Sequence, residues 1–128
     1  MTDCSGTWDG AYSYDTHAEW VSFRAVLQDS AGLIGGETVE DCTYWELGHG
    51  PATATLAGTR SRRSVSFTKI YDSHRVALEP IHYAGTLTED GNEIAGRWTI
   101  SPGVSGTFIM RRPETAAEEV EEAMEAEL

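Results

Sequence analysis

Apolar side chains recur at every second position of this chain, in runs broken by turn residues at intervals of about 8–12 residues. In "GTWDGAYSY", residues 6–14, Trp8, Gly10, Tyr12 and Tyr14 share one strand face, and Asp9, Ala11 and Ser13 share the other. The alternation returns in Val21, Phe23, Ala25 and Leu27, and again in Ile94, Gly96, Trp98 and Ile100. It predicts eight strands: Thr7–Tyr14, Trp20–Gln28, Leu33–Glu40, Ala52–Gly58, Ser64–Tyr71, Ile81–Thr88, Glu93–Ile100 and Ser105–Arg112. Short turns separate several of them: "DSAG" at 29–32, "RSRR" at 60–63, "EDGN" at 89–92 and "SPGV" at 101–104. Longer loops fall at 41–51 and 72–80. No stretch of the body has a helical period.

Consecutive strands joined by short turns pair antiparallel. Eight of them in an open sheet would leave two bare edges, and closure removes both. The expected fold is therefore all-β, an eight-stranded antiparallel up-and-down β-barrel. Such a barrel encloses packed side chains or one small ligand. The up-and-down path sorts the loops onto two ends. Short turns mark a closed end, and the loops at 15–19, 41–51, 72–80 and 101–104 mark a mouth, where binding residues concentrate.

Composition adds a second segment. Residues 113–128, "PETAAEEVEEAMEAEL", are rich in helix formers, with Pro113 and Glu114 suited to a first turn. Val120, Met124 and Leu128 make a thin apolar stripe. The chain thus divides into a barrel at 1–112 and an acidic tail at 113–128, helical or disordered. The net charge is −12, of which the tail carries −7 and the body 9 − 14 = −5. No basic face is available for nucleic acid. No run has the length of a membrane-spanning helix. The opening "MTDCSGTW" lacks the basic and apolar segments of a secretory signal, so a cytoplasmic protein is expected. Its two cysteines, Cys4 at the closed end and Cys42 at the mouth, should then stay reduced and far apart.

Three stretches resemble the calycin superfamily of barrels, which includes lipocalins, fatty-acid-binding proteins and avidins. "SGTWDGAY" resembles its opening G-x-W. "IHYAGTL" and "EIAGRWTI" look like the aromatic–small–glycine strand and the late tryptophan strand of avidins. "SGTFIMRR" resembles the closing strand, whose arginine packs over the first tryptophan. The likeness spans residues 5–112. It implies that Trp8 plugs the closed end, with Arg111 or Arg112 over it. It does not extend to biotin, because Gly10, Gly106 and "GGETVE" stand where polar biotin contacts are expected.

The candidate ligand contacts are the aromatics placed toward the mouth: Tyr14, Tyr44, Trp45, Phe67, Tyr71, Tyr83 and Trp98. Glu37 and Lys69 are the candidate catalytic pair, provided that their strand faces point inward. His17, His49, His74 and His82 gather near the mouth but lack metal-ligand spacing, so neither metal nor any other cofactor is expected. The leading expectation is that the lumen binds a small hydrophobic or aromatic molecule, its mouth capped by loop 41–51. A second is a cofactor-independent cyclase or isomerase of specialised metabolism, in a family some of whose barrels act this way. A third is an interaction protein working through the acidic tail. A homodimer paired through barrel walls is compatible with the family resemblance.

Overall fold

A computed structural model of the chain describes residues 3–16, 19–41, 51–72, 79–100 and 103–113. The eight strands are β1 (Gly6–Tyr14), β2 (Trp20–Ser30), β3 (Leu33–Asp41), β4 (Pro51–Ser61), β5 (Ser64–Tyr71), β6 (Ile81–Leu87), β7 (Glu93–Ile100) and β8 (Val104–Arg111). Each pairs antiparallel with the next, and β8 returns to β1 to close the barrel. At the seam Asp9 lies opposite Arg111, Tyr12 opposite Phe108 and Tyr14 opposite Gly106. The tail beyond Pro113, and loop residues 42–50, lie outside the described residues.

Two hairpins are tighter than the sequence suggests. Ser30 pairs with Leu33 around Ala31 and Gly32, whose φ values are +51° and +92°. Ser61 pairs with Ser64 around a turn whose first residue, Arg62, has φ +58°. Left-handed backbone in two-residue turns matches the right-handed twist of the flanking strands. Asp29, Ser30, Arg60 and Ser61, expected in turns, are therefore strand residues.

The closed end is sealed by residues before and within β1 together with Arg112, which follows β8. Trp8 is completely buried, and its indole N–H donates to the Cys4 carbonyl at 2.9 Å. The Arg112 guanidinium lies 4.4 Å from the ring centroid of Trp8. It donates to the carbonyls of Asp3, Ser5 and Gly91. Arg111 does not do this. Successive strand residues face opposite sides, and Arg111 donates instead to Glu93 at 2.9 Å. Beside this plug, Asp29 accepts from Arg60 and from the backbone N–H groups of Cys4 and Gly32. Burial opposes its ionisation, but these hydrogen bonds outweigh burial and hold the carboxyl below the usual range. Burial, reinforced by Asp29, pushes the Cys4 thiol up to about 11.

Candidate functional site

The hairpin registers decide which charges enter the lumen. Phe23, Ala25 and Leu27 are the buried face of β2. With Ser30 opposite Leu33, they pair with Glu40, Thr38 and Gly36. The even positions of β3 therefore face inward. Glu37 falls on the other face and is exposed, as are Leu33 and Val39. The pairing register runs without interruption through Gly35 and Gly36, so no bulge turns Glu37 back. In β5, Lys69 pairs with buried Leu56 and shares its inward direction. Lys69 is 1 % exposed and Glu40 is 2 % exposed.

These two form an ion pair, Nζ to Oε1, at 2.9 Å. Two tyrosines complete the group. Tyr12 on β1 donates its hydroxyl to Glu40 Oε2 at 2.7 Å, and Tyr71 at the end of β5 donates to Glu40 Oε1. The ammonium also lies near three rings, 4.6 Å from the centroid of Tyr71, 5.2 Å from that of Tyr12 and 5.6 Å from that of Phe23. Aromatic faces stabilise a cation in this position. The Tyr12 hydroxyl is pushed far above its ordinary range by burial, then by Tyr71 and the Glu40 charge. Tyr71 is raised by burial and by Glu40 in the same way. Both phenols therefore remain protonated donors.

Above this group lies an aromatic rim. Tyr14, at 38 % exposed, meets the Trp98 ring edge-on, with centroids 4.8 Å apart. Trp98 is itself buried, and its N–H donates to the Ser13 carbonyl at 3.1 Å. The absence of a side chain at Gly106 permits this, since a Cβ there would stand 2.7 Å from the indole and 1.8 Å from the Ser13 oxygen. Deeper in the lumen, Phe67 stacks on Tyr83 at 5.0 Å, and Phe108 meets Tyr83 edge-on at 5.0 Å. These rings fill the barrel. Tyr83 is also held well above its ordinary pKa range by burial and by Glu40.

Of the residues singled out in the sequence, Tyr14, Phe67, Lys69, Tyr71, Tyr83 and Trp98 thus share the lumen. Tyr44, Trp45, Cys42, His17, His49 and His74 lie outside the described residues. His82 points away from the lumen and shares a hydrogen bond with Thr68 on the outer wall. Among the described residues no cluster of His, Cys, Asp and Glu is placed to hold a metal ion. Sequence reasoning missed Glu40 and Tyr12 as site residues. The signal was present in "DSAG": a two-residue Ala-Gly turn forces even positions of β3 to face Phe23, Ala25 and Leu27.

No protein-family model matches the sequence. No curated protein matches it either. Among solved structures, the fold is similar to that of a redesigned beta barrel at a TM-score of 0.69 and 13 % identity, covering 85 % of this chain and 90 % of that one. At this identity the likeness speaks for the fold alone, and the fold is a closed, eight-stranded, antiparallel up-and-down β-barrel.

Proposed function

We infer that the barrel binds a small, largely apolar aromatic molecule at its mouth, against Tyr14, Tyr71 and Trp98. The Glu40–Lys69–Tyr12–Tyr71 group lies beneath as the polar part of the site. That buried group is the observation that carries the reading. An ion pair withdrawn from water adds little net stability, and apolar side chains of equal volume would do as well or better. A task explains the group more simply than the fold does. The resemblance of "SGTWDGAY" and "SGTFIMRR" to calycin barrels supports the same reading, as many such barrels hold small ligands.

A specific observation favours a second reading, that of a cofactor-independent cyclase or isomerase. Two protonated phenols are hydrogen-bonded to one carboxylate in a water-poor lumen. Such an arrangement can lend or take a proton at a bound substrate. Binding is common to both readings and is tested first. The fluorescent probe 1-anilinonaphthalene-8-sulfonate should bind the folded protein with enhanced emission. Tyr14→Ala should weaken it about tenfold through the lost ring contact. A probe that ignores the folded protein, or that binds both proteins equally, would refute binding at the mouth. Native mass spectrometry of freshly purified protein identifies any molecule that travels with it.

A further inference from the structure

The closed end holds five of the nine basic residues, Arg60, Arg62, Arg63, Arg111 and Arg112. Asp29 pairs with Arg60, and Glu93 with Arg111. Arg62 and Arg63 stand exposed on the β4–β5 turn and form no side-chain ion pair among the described residues. Arg62 holds φ +58° there, a backbone that glycine or asparagine adopts at lower cost. The turn thus carries a cation at some expense, and nothing in the described barrel uses it. Beside it stands Leu33, 68 % exposed, more than any other large apolar side chain among the described residues. The two turns touch, since the Arg60 N–H donates to the Gly32 carbonyl at 2.7 Å. This corner sets an apolar knob next to two guanidinium groups.

One segment of the chain matches it. Residues 17–18, 42–50, 73–78 and 101–102, outside the described residues, all fall between strand ends at the mouth, and residues 1–2 contain no acid. Residues 114–128 follow Arg112 and Pro113 at the closed end. Arg112 fixes their point of departure. Its backbone N–H donates to the Asn92 carbonyl at 3.1 Å, and its guanidinium to the carbonyls of Asp3, Ser5 and Gly91. In the closed barrel β3 and β5 each lie three strand spacings from β8, about 14 Å around the wall. Fifteen residues wound as a helix reach about 22 Å.

The chemistry of the segment fits as well. Its seven glutamates face a corner with two cations. In a helix, Ala116, Ala117, Val120, Ala123, Met124 and Leu128 share one face, bordered by Glu119 and Glu121. Glu118 and Glu122 stand four apart, as do Glu121 and Glu125, and such like-charge pairs weaken an isolated helix. Arginines at the border relieve that repulsion, and the apolar face covers Leu33. Glu89 and Asp90 on the β6–β7 turn repel the segment from their side, which leaves the side of β3 and β4.

We propose that residues 114–128 fold back as a helix across the closed end, with Val120 and Met124 against Leu33 and the bordering glutamates on Arg62 and Arg63. The contact lies at the end opposite the mouth and does not rest on the ligand reading.

NMR of the full chain at low salt tests it. Backbone order parameters of residues 118–126 should be about 0.8 in wild type and fall below about 0.6 in the variant Arg62→Gln with Arg63→Gln. Leu33→Ser should loosen the segment in the same way. The variant Val120→Asp with Met124→Asp changes no barrel residue. It should shift the amide signals of Leu33, Thr59 and Arg62 and leave those of Tyr12 and Trp98 in place. Order parameters already below about 0.6 in wild type, or Leu33 and Arg62 amides indifferent to the tail variant, would overturn the proposal. Sedimentation distinguishes the chain's own tail from a second copy. A monomer of 14.0 kDa is expected, and a dimer that Leu33→Ser dissociates would overturn the proposal by making another chain the occupant.

Discussion

Glu40 accepts hydrogen bonds from an ammonium and two phenols, so its loss would remove the acceptor that all three share. The pair's net contribution and the cost of breaking it are different quantities. Replacing one partner alone, Glu40→Leu or Lys69→Met, leaves the other charge buried and should destabilise the fold by about 3–5 kcal/mol. The double change Glu40→Leu with Lys69→Met removes both charges and should recover most of that loss. Urea denaturation of the four proteins measures it as a double-mutant cycle. A double variant no more stable than the worse single one would show that the phenols, not the charges, need the carboxylate.

At the scale of elements, the tight hairpins govern the site. The Ala31–Gly32 turn sets the register between β2 and β3, and through it selects Glu40 over Glu37 for the lumen. Ala31 adopts φ +51° there, a region that costs a residue with a Cβ about 1 kcal/mol. Asn tolerates this backbone, and Asn-Gly is the preferred pair for such turns. Ala31→Asn should stabilise the fold by about 0.5–1 kcal/mol, read as a raised urea midpoint with an unchanged slope. A neutral or destabilising result would mean that the turn relaxes in solution.

The same turn explains what could be read in the sequence. Strand existence and order were legible because alternation survives in most of the strands, and each short turn carries its own residues. Lys69 was legible because Val65 and Phe67 mark its face unmistakably. Glu40 was not, because neither face of "LIGGETVE" is clearly apolar. Leu33 and Val39 stand on one side, Ile34 on the other, and glycine on both. Only the register inherited from β2 breaks that tie. Arg111 and Arg112 posed the same problem, since adjacent arginines differ only in parity, and parity is set by the pairing of β8 with β1 and β7.

For the whole molecule, the buried protons set an alkaline limit. Tyr12, Tyr71 and Tyr83 hold theirs far above the ordinary range, and Cys4 up to about 11. The folded state keeps protons that the unfolded chain releases from about pH 8.5 for the thiol and about pH 10 for the phenols. Their contribution is complete below those values and is lost as pH rises through them. Stability should therefore be level through neutral pH with respect to these groups, and fall steeply above about pH 9–10. Tyrosinate absorbance should report the three phenols only as the protein unfolds. Their ionisation in a barrel that still shows native near-ultraviolet dichroism would contradict the packing described.

The seam between β1 and β8 has a consequence for how the protein is made. The strand that completes the sheet, Val104–Arg111, is the last of the eight to be synthesised, and its partner Gly6–Tyr14 is the first. Until the ribosome has delivered β8, the nascent barrel is an open sheet with two unpaired borders, and the Trp8 plug lacks Arg112. Other nascent chains can pair with such borders. The vulnerable interval thus spans the synthesis of all eight strands, and it ends when the last strand meets the first.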